Sequence, residues 1–515
     1  MRVLLIPLLQ LQRFFIPTLF VLLGWAIWRT IFRKDLAVGL ALYACLIIVV
    51  DGFYNTGIYI PGLAKGSLRY SEVCAIVLLL HCPRPPRTGP IPRGLLFLVS
   101  AYFVLMLIAA LRTNPLSQGL FDYRRIMIPQ ILALVLAARG LATVAQYQRF
   151  LLCLAVLVLL VGIFCFWDVF FDINILHSNV LYEPEYFHNR KLGRFGSLLL
   201  NPNLLGAFVV LLFPPMLALF LQRSGWRVRL YLGAALLGML FCLVQTQSRA
   251  PLAVFAGTLA IFVFGPLGGM SRMRRFFVVI AAAAALAIFM PGFIKHAVQR
   301  FDTLKTEESE ESVSRAAMWP YTEDLILSHP FLGIGFGESQ FLAAMDRTDF
   351  RERYGQQSLD NPHNSYLQAA VYAGIPALAL FLLANLTLLF KSWTASRRAK
   401  RPDVPAAEIF GLAVGITGLL VCMYPDMHLF TSTIAPLYWL FFGLLLSMLP
   451  STGQVRAIAV GPAVADSPVA GYPAPGRRAR AQQAQALALG GAAFFWQSTM
   501  KPSPRERIGP KLSLS

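Results

Sequence analysis

Three arginines and one histidine stand where the chain is otherwise built for lipid. Arg249 lies in QTQSRAPLAVF, in a turn between two apolar runs. A guanidinium so close to hydrocarbon is costly and usually functional, and its planar fork of donors matches phosphate oxygens. The alternative is an arginine that reaches out to lipid headgroups. Arg194 lies between two glycines in KLGRFGSLLLNPNLLG, and Asn201 and Asn203 enter the apolar run behind it. Asparagines at membrane depth need hydrogen-bond partners, found either at a functional site or locally around a proline kink. Arg315 opens RAAMWPYTEDLILSHPFLGIGFGESQF, with Trp319 four residues on. That spacing puts both on one face of a helix, which also fits a plain surface helix of an external loop. His363 and Asn364 begin the apolar run of NPHNSYLQAAVYAGIPALALFLL. A histidine titrates near neutral pH and accepts a proton from a hydroxyl; otherwise it is an interfacial residue at a helix start. Asp360 stands near enough in the chain to orient the imidazole.

Other polar features read as structural. Gly333, Gly335 and Gly337 are not followed by GK[ST], so they predict a tight turn rather than a phosphate cradle. Glu307, Glu308, Glu310 and Glu311 form a solvated loop face. Asp426 and His428, in YPDMH, end another apolar run, with a place in the same cavity as His363 as the lesser reading. The seven cysteines show no CxxC pair and no Cys/His metal spacing; they read as small packing residues.

The elements that must position these groups are membrane spans. The chain has 515 residues, 57% hydrophobic and 14% charged, with a mean hydropathy of +0.62. Soluble domains carry roughly 25% charged residues. Apolar runs near the length of a bilayer crossing fall at 14–31, 36–50, 67–81, 94–111, 126–138, 150–168, 197–221, 230–246, 251–269, 276–292, 365–390, 406–424 and 430–449. The fold class expected is therefore an all-α polytopic membrane protein with about 12–14 transmembrane helices. The net charge of +20 sits in short clusters between the runs, not in a stripe that tracks nucleic acid. Basic loops at Arg29–Lys34, Arg84–Arg93, Arg139–Arg149, Arg223–Arg229, Arg272–Arg275 and Lys391–Arg401 share one face if the spans alternate. That face is the cytoplasm. Arg194, Arg249, Arg315 and His363 then belong to the opposite face, together with a large loop over 291–364. The N-terminal run reads as an uncleaved anchor. Residues 451–515, rich in Pro, Gly, Ala and Arg, read as a disordered basic cytoplasmic tail, with Arg477, Arg478 and Arg480 available to anionic lipid.

Four blocks in order, RFGSLLLNPNLLG, QSRAPLAVF, RAAMWPYTEDLILSHPFLGIGFG and NPHNSYLQAAVYAGIPALALF, resemble the O-antigen ligase and O-antigen polymerase superfamily. They cover roughly 190–390, which divides the chain into N-terminal transmembrane helices (1–190), a ligase-like catalytic membrane region (191–450) and the tail. The resemblance implies a GT-C-like fold in a bacterial inner membrane with its active site on the periplasmic side. The donor implied is an undecaprenyl-diphosphate-linked glycan, and the acceptor a lipid A core sugar or a second carrier-linked glycan. Membrane lipids are the other expected partners, with no nucleic acid and no cofactor. The family's functional residues map onto Arg249, Arg315 and His363 as catalytic. Arg194, Asn201, Asn203, Trp319 and Asn364 follow as substrate-binding.

On that reading the arginines stabilise charge growing on a departing diphosphate, as an oxyanion hole does. They take the place of the divalent ion that many sugar transferases use, no DxD-type pair being evident on the outer face. His363 accepts the acceptor's proton, and attack from the far side inverts the anomeric centre. A transporter or flippase would show matching halves with broken helices, and none is legible in this chain. A structural scaffold would assign His363 no role.

Overall fold

The structure, a computed structural model, describes residues 23–53, 57–59, 67–81, 92–139, 141, 143–171, 189–223, 225–265, 273, 275–277, 280, 310–354, 361–397 and 406–449. The expected span at 276–292 falls almost wholly outside them. So do the start of the 14–31 run, Glu307, Glu308, Asp360 and the 451–515 tail.

The chain is an all-α polytopic membrane protein. The helices are α1 (Leu36–Cys45, continued as a π-helix through Phe53), α2 (Tyr70–His81), α3 (Arg93–Arg112), α4 (Leu116–Ala138) and α5 (Val144–Phe171). There follow α6 (Pro202–Gln222), α7 (Trp226–Thr246), α8 (Arg249–Phe264), α9 (Glu310–Ser328), α10 (Glu338–Met345) and α11 (Phe350–Tyr354). The last are α12 (Ser365–Ala373), α13 (Ile375–Arg397), α14 (Ala406–Cys422) and α15 (Ile434–Met448). A short antiparallel pair, Gly57–Tyr59 with Ser67–Arg69, precedes α2. Among the described residues α3, α5, α6, α7 and α13 are long and apolar enough to cross a membrane.

Helix α6 is the axis of the bundle, buried along most of its length. Its neighbour α14 approaches through Gly411, Gly415 and Gly418. A β-carbon on these would meet Pro215, Leu211 and Val210 respectively. Spaced four and three apart, the glycines form one smooth stripe, and in lipid such close backbone approach replaces the hydrophobic effect as the force that joins helices. The same stripe meets α8, since a β-carbon on Gly418 would also touch Thr258. At the other end of α8, Phe262 packs at a tilt against Phe410. Both α6 and α8 therefore run antiparallel to α14.

Three differences from the sequence expectation matter for the site. The run at 365–390 is not one helix: Gly374 (φ +86) breaks it into α12 and the spanning α13. A β-carbon on Gly374 would collide with the Phe331 carbonyl, so a neighbouring turn sets the break. The span expected from 197 begins at Pro202, after a 3-10 turn at Ser197–Leu199 and a left-handed Leu200. The run at 126–138 is the second half of α4, whose first half carries Asp122, Arg124 and Arg125.

Candidate active site

Two groups of polar residues gather at one end of the bundle. The first is built where α6 starts and α7 turns into α8. Asn201 caps α6, its Oδ1 accepting from the Asn203 and Leu204 amides. Pro202 follows as the first helical residue, where its missing N–H costs nothing. This cap aims Asn203 sideways. Its Oδ1 accepts from the Arg194 guanidinium at 3.1 Å and from Ser248 Oγ at 2.6 Å. Ser248 is the N-cap position of α8, and Arg249 is that helix's first residue. The Phe195 amide donates to the Gln245 carbonyl at 3.0 Å, and left-handed Gln247 turns the chain between α7 and α8. Arg194 is thus tied through Asn203 to Ser248, the residue that precedes Arg249, 55 positions further along the sequence than Arg194.

The second group surrounds His363. Its backbone is left-handed (φ +47), unusual for a residue with a β-carbon. The turn is fixed from both sides. Asn361 Oδ1 accepts from the His363 amide at 2.9 Å, and Asn364 caps α12 by accepting from Tyr366 and Leu367. Trp319 of α9 donates its indole N–H to the Pro362 carbonyl at 2.9 Å and packs edge-on against Tyr424. Arg315 lies on the same helix one turn earlier, so the helix that carries it is tied directly to the histidine's turn.

The segment after α14 completes this group. Ser365 donates its amide to the Met423 and Asp426 carbonyls and its hydroxyl to the latter, and accepts from the Leu429 amide. These bonds bring Asp426 Oδ1 to 3.8 Å from His363 Nδ1, a nitrogen with no hydrogen-bond partner among the described residues. His428 is fully enclosed on the far side of this segment. Burial holds its imidazole below the ordinary histidine value, and Asp426 pulls the other way.

Both groups lie at the same end. Going up α14 from Gly411 to Gly418, its partners on α6 run from Pro215 down to Val210 and those on α8 reach Val254. Continued past Cys422, α14 meets Asp426 where α6 and α8 reach Asn203 and Arg249. Asn201 and Asn364 are cap residues, so the structure gives them the task of shaping the turns. Arg112, Arg124 and Arg190 bond to the Leu332 carbonyl, Glu72 and Asp168 respectively. Asp426 and Ser248 are inconspicuous in the sequence. The first is 63 residues from His363, and the only signal was an acid–histidine pair at the end of a span. The second differs in nothing visible from any serine in a turn. Among the described residues no three His, Cys, Asp or Glu side chains come together as a metal site.

Residues 234–382 match the family model described as O-antigen ligase. The match includes Arg249, Arg315, Trp319, His363 and Asn364 and begins downstream of Arg194, Asn201 and Asn203. Comparison with curated proteins gives no match.

Proposed function

Since the match over residues 234–382 supports the O-antigen ligase/polymerase superfamily for this chain, we propose that it moves a glycan from undecaprenyl diphosphate to an acceptor hydroxyl at the periplasmic end of the bundle. The observation that carries this reading is the convergence at one end of two arginines, Arg194 bonded through Asn203 to Ser248 and Arg249 next to that serine in the chain, and a strained histidine beside a carboxylate.

The chemistry follows from the geometry. With Nδ1 turned to Asp426, the His363 tautomer with a proton on Nδ1 leaves Nε2 free to accept. The acceptor oxygen bonds to the anomeric carbon, its proton passes to Nε2, and the bond from that carbon to the diphosphate oxygen breaks. Negative charge then collects on the leaving diphosphate. Arg249, Arg194 and the arginine of α9, Arg315, supply positive charge there in a site of low dielectric, where fixed donors are worth most. A diphosphate needs no strong general acid to leave, so cations alone suffice and no metal ion is required. Trp319 holds α9 against the histidine's turn, and Asn201 and Asn364 act as positioning residues through their caps. The acceptor classes proposed are the lipid A core and a second carrier-linked glycan, with a protein side chain, as in some relatives of this family, the further alternative.

The test is transfer by the purified chain from undecaprenyl-diphosphate glycan, with and without chelator. Transfer by the parent and none by His363→Ala is the expected result; equal transfer by both would end the proposal. A ladder of chain lengths would assign a polymerase, and a single addition to lipid A core a ligase.

A further inference from the structure

The turn after α9, Ser328–Gly337, takes no part in the chemistry above, yet it is built unlike a loop in water. Leu327 and Phe331 are 71% and 75% exposed, and Leu332 is exposed beside them. Their neighbours fix their depth. The Pro330 carbonyl accepts from the amide of Ile375, the first residue of the spanning α13. The Leu332 and Gly333 carbonyls accept from the guanidinium of Arg112, the last residue of the spanning α3. The turn therefore rests on the ends of two membrane helices. Leu111 and Ile375, the outermost apolar residues of those helices, are themselves exposed, so the apolar patch continues the lipid-facing surface of α3 and α13.

The backbone of the turn is also satisfied from within the protein. Gly333 N–H donates to His329, Ile334 to Val371 and Gly335 to Tyr372. The Phe336 amide and carbonyl both pair with the Thr113 hydroxyl. Irregular backbone at membrane depth is tolerated when protein satisfies its polar groups in this way. Gly333, Gly335 and Gly337 all have positive φ, and a β-carbon on Gly333 would strike the Tyr372 backbone. The glycines let the turn lie flat on α12, with Phe336 packed inward on Tyr372 while Phe331 and Leu332 point away.

We infer that Leu327, Phe331 and Leu332 form an interfacial anchor that inserts into the outer-leaflet boundary between headgroups and acyl chains, fastening α9 to the bilayer surface. Glu323 and Asp324, one turn earlier on α9 and exposed, remain in water and set the tilt of the helix. The occupant of the patch is lipid.

The experiment places an environment-sensitive fluorophore on the full chain at Phe331→Cys, Leu327→Cys or Glu323→Cys, in vesicles of phosphatidylethanolamine and phosphatidylglycerol. Labelling of the parent measures the contribution of native cysteines. Quenching by a nitroxide near the head of the acyl chain should exceed quenching by aqueous iodide at 331 and 327, with the order reversed at 323. Iodide quenching at 331 as strong as at 323 would overturn the proposal in favour of a solvated loop. Protection from both quenchers would overturn it in favour of a protein cover, such as a second copy. Phe331→Trp, read as an added component quenched by brominated lipid, repeats the test without a bulky label.

Discussion

His363 keeps a backbone conformation that costs an L-residue roughly 1–2 kcal/mol, and strain of this kind concentrates at working sites. Replacing it with glycine separates strain from chemistry. His363→Gly is expected to lose transfer by about 10²- to 10⁴-fold, the usual contribution of a general base. Its unfolding midpoint in detergent should be no lower than the parent's. Asp426→Asn should cost less than that, because it removes the group facing Nδ1 rather than the base. Arg249→Lys and Arg315→Lys test the fork. A lysine keeps the charge but grips a phosphate at one point, so a loss approaching that of the alanine variants is expected. His428 gives a stability prediction. Its folded-state value is depressed by burial, so below about pH 6.5 the unfolded chain takes up a proton that the folded chain refuses. Stability should fall as pH drops through that range, and a His428→Gln chain should lose this component.

At the scale of elements, two helix starts and one helix break shape the site. Asn201 and Asn364 cap α6 and α12, and truncating a capping asparagine costs about 1 kcal/mol. Asn364→Ala should lower both the melting midpoint and transfer, because the cap adjoins His363, whereas Asn364→Ser should recover most of both. Gly374→Ala puts a β-carbon against the Phe331 carbonyl at positive φ. It is expected to destabilise the junction of α12, α13 and the anchoring turn more than the loss of either cap, read as reduced yield of folded protein from membranes.

The whole molecule carries a consistent division of charge. At the end opposite the site, Asp35 pairs with Arg29 and Arg149, and Gln148 joins Arg223 to Glu408. Arg29, Arg33, Arg227 and Arg397 each lie over a neighbouring tryptophan, as residues at a membrane–water boundary do. Helix α6 alone separates Asn201 from Arg223. An impermeant thiol reagent applied from outside should therefore label the exposed positions Lys191→Cys and Arg353→Cys and spare Arg227→Cys and Arg397→Cys. The reverse pattern would turn the site to the cytoplasm and remove the proposed donor.

The apolar runs and basic loops made the membrane class legible, because lipid demands long uncharged helices whatever their packing. The type of Arg249 and its place in a short turn, and of His363 at the start of an apolar run, were legible for the same reason: lipid makes polar residues conspicuous. What the apolar pattern leaves open is where a helix stops within a run. Gly374 ends α12 at a positive φ, where the Phe331 carbonyl, from another part of the chain, leaves no room for a β-carbon. The partnership of His363 with Asp426, and of Arg194 with Ser248 through Asn203, likewise depends on helices that meet only after packing. Residue type and spacing determine what a segment can do locally. Which distant segment it faces is set by the interlocking of small-residue surfaces such as the glycine stripe of α14, and that emerges only in three dimensions.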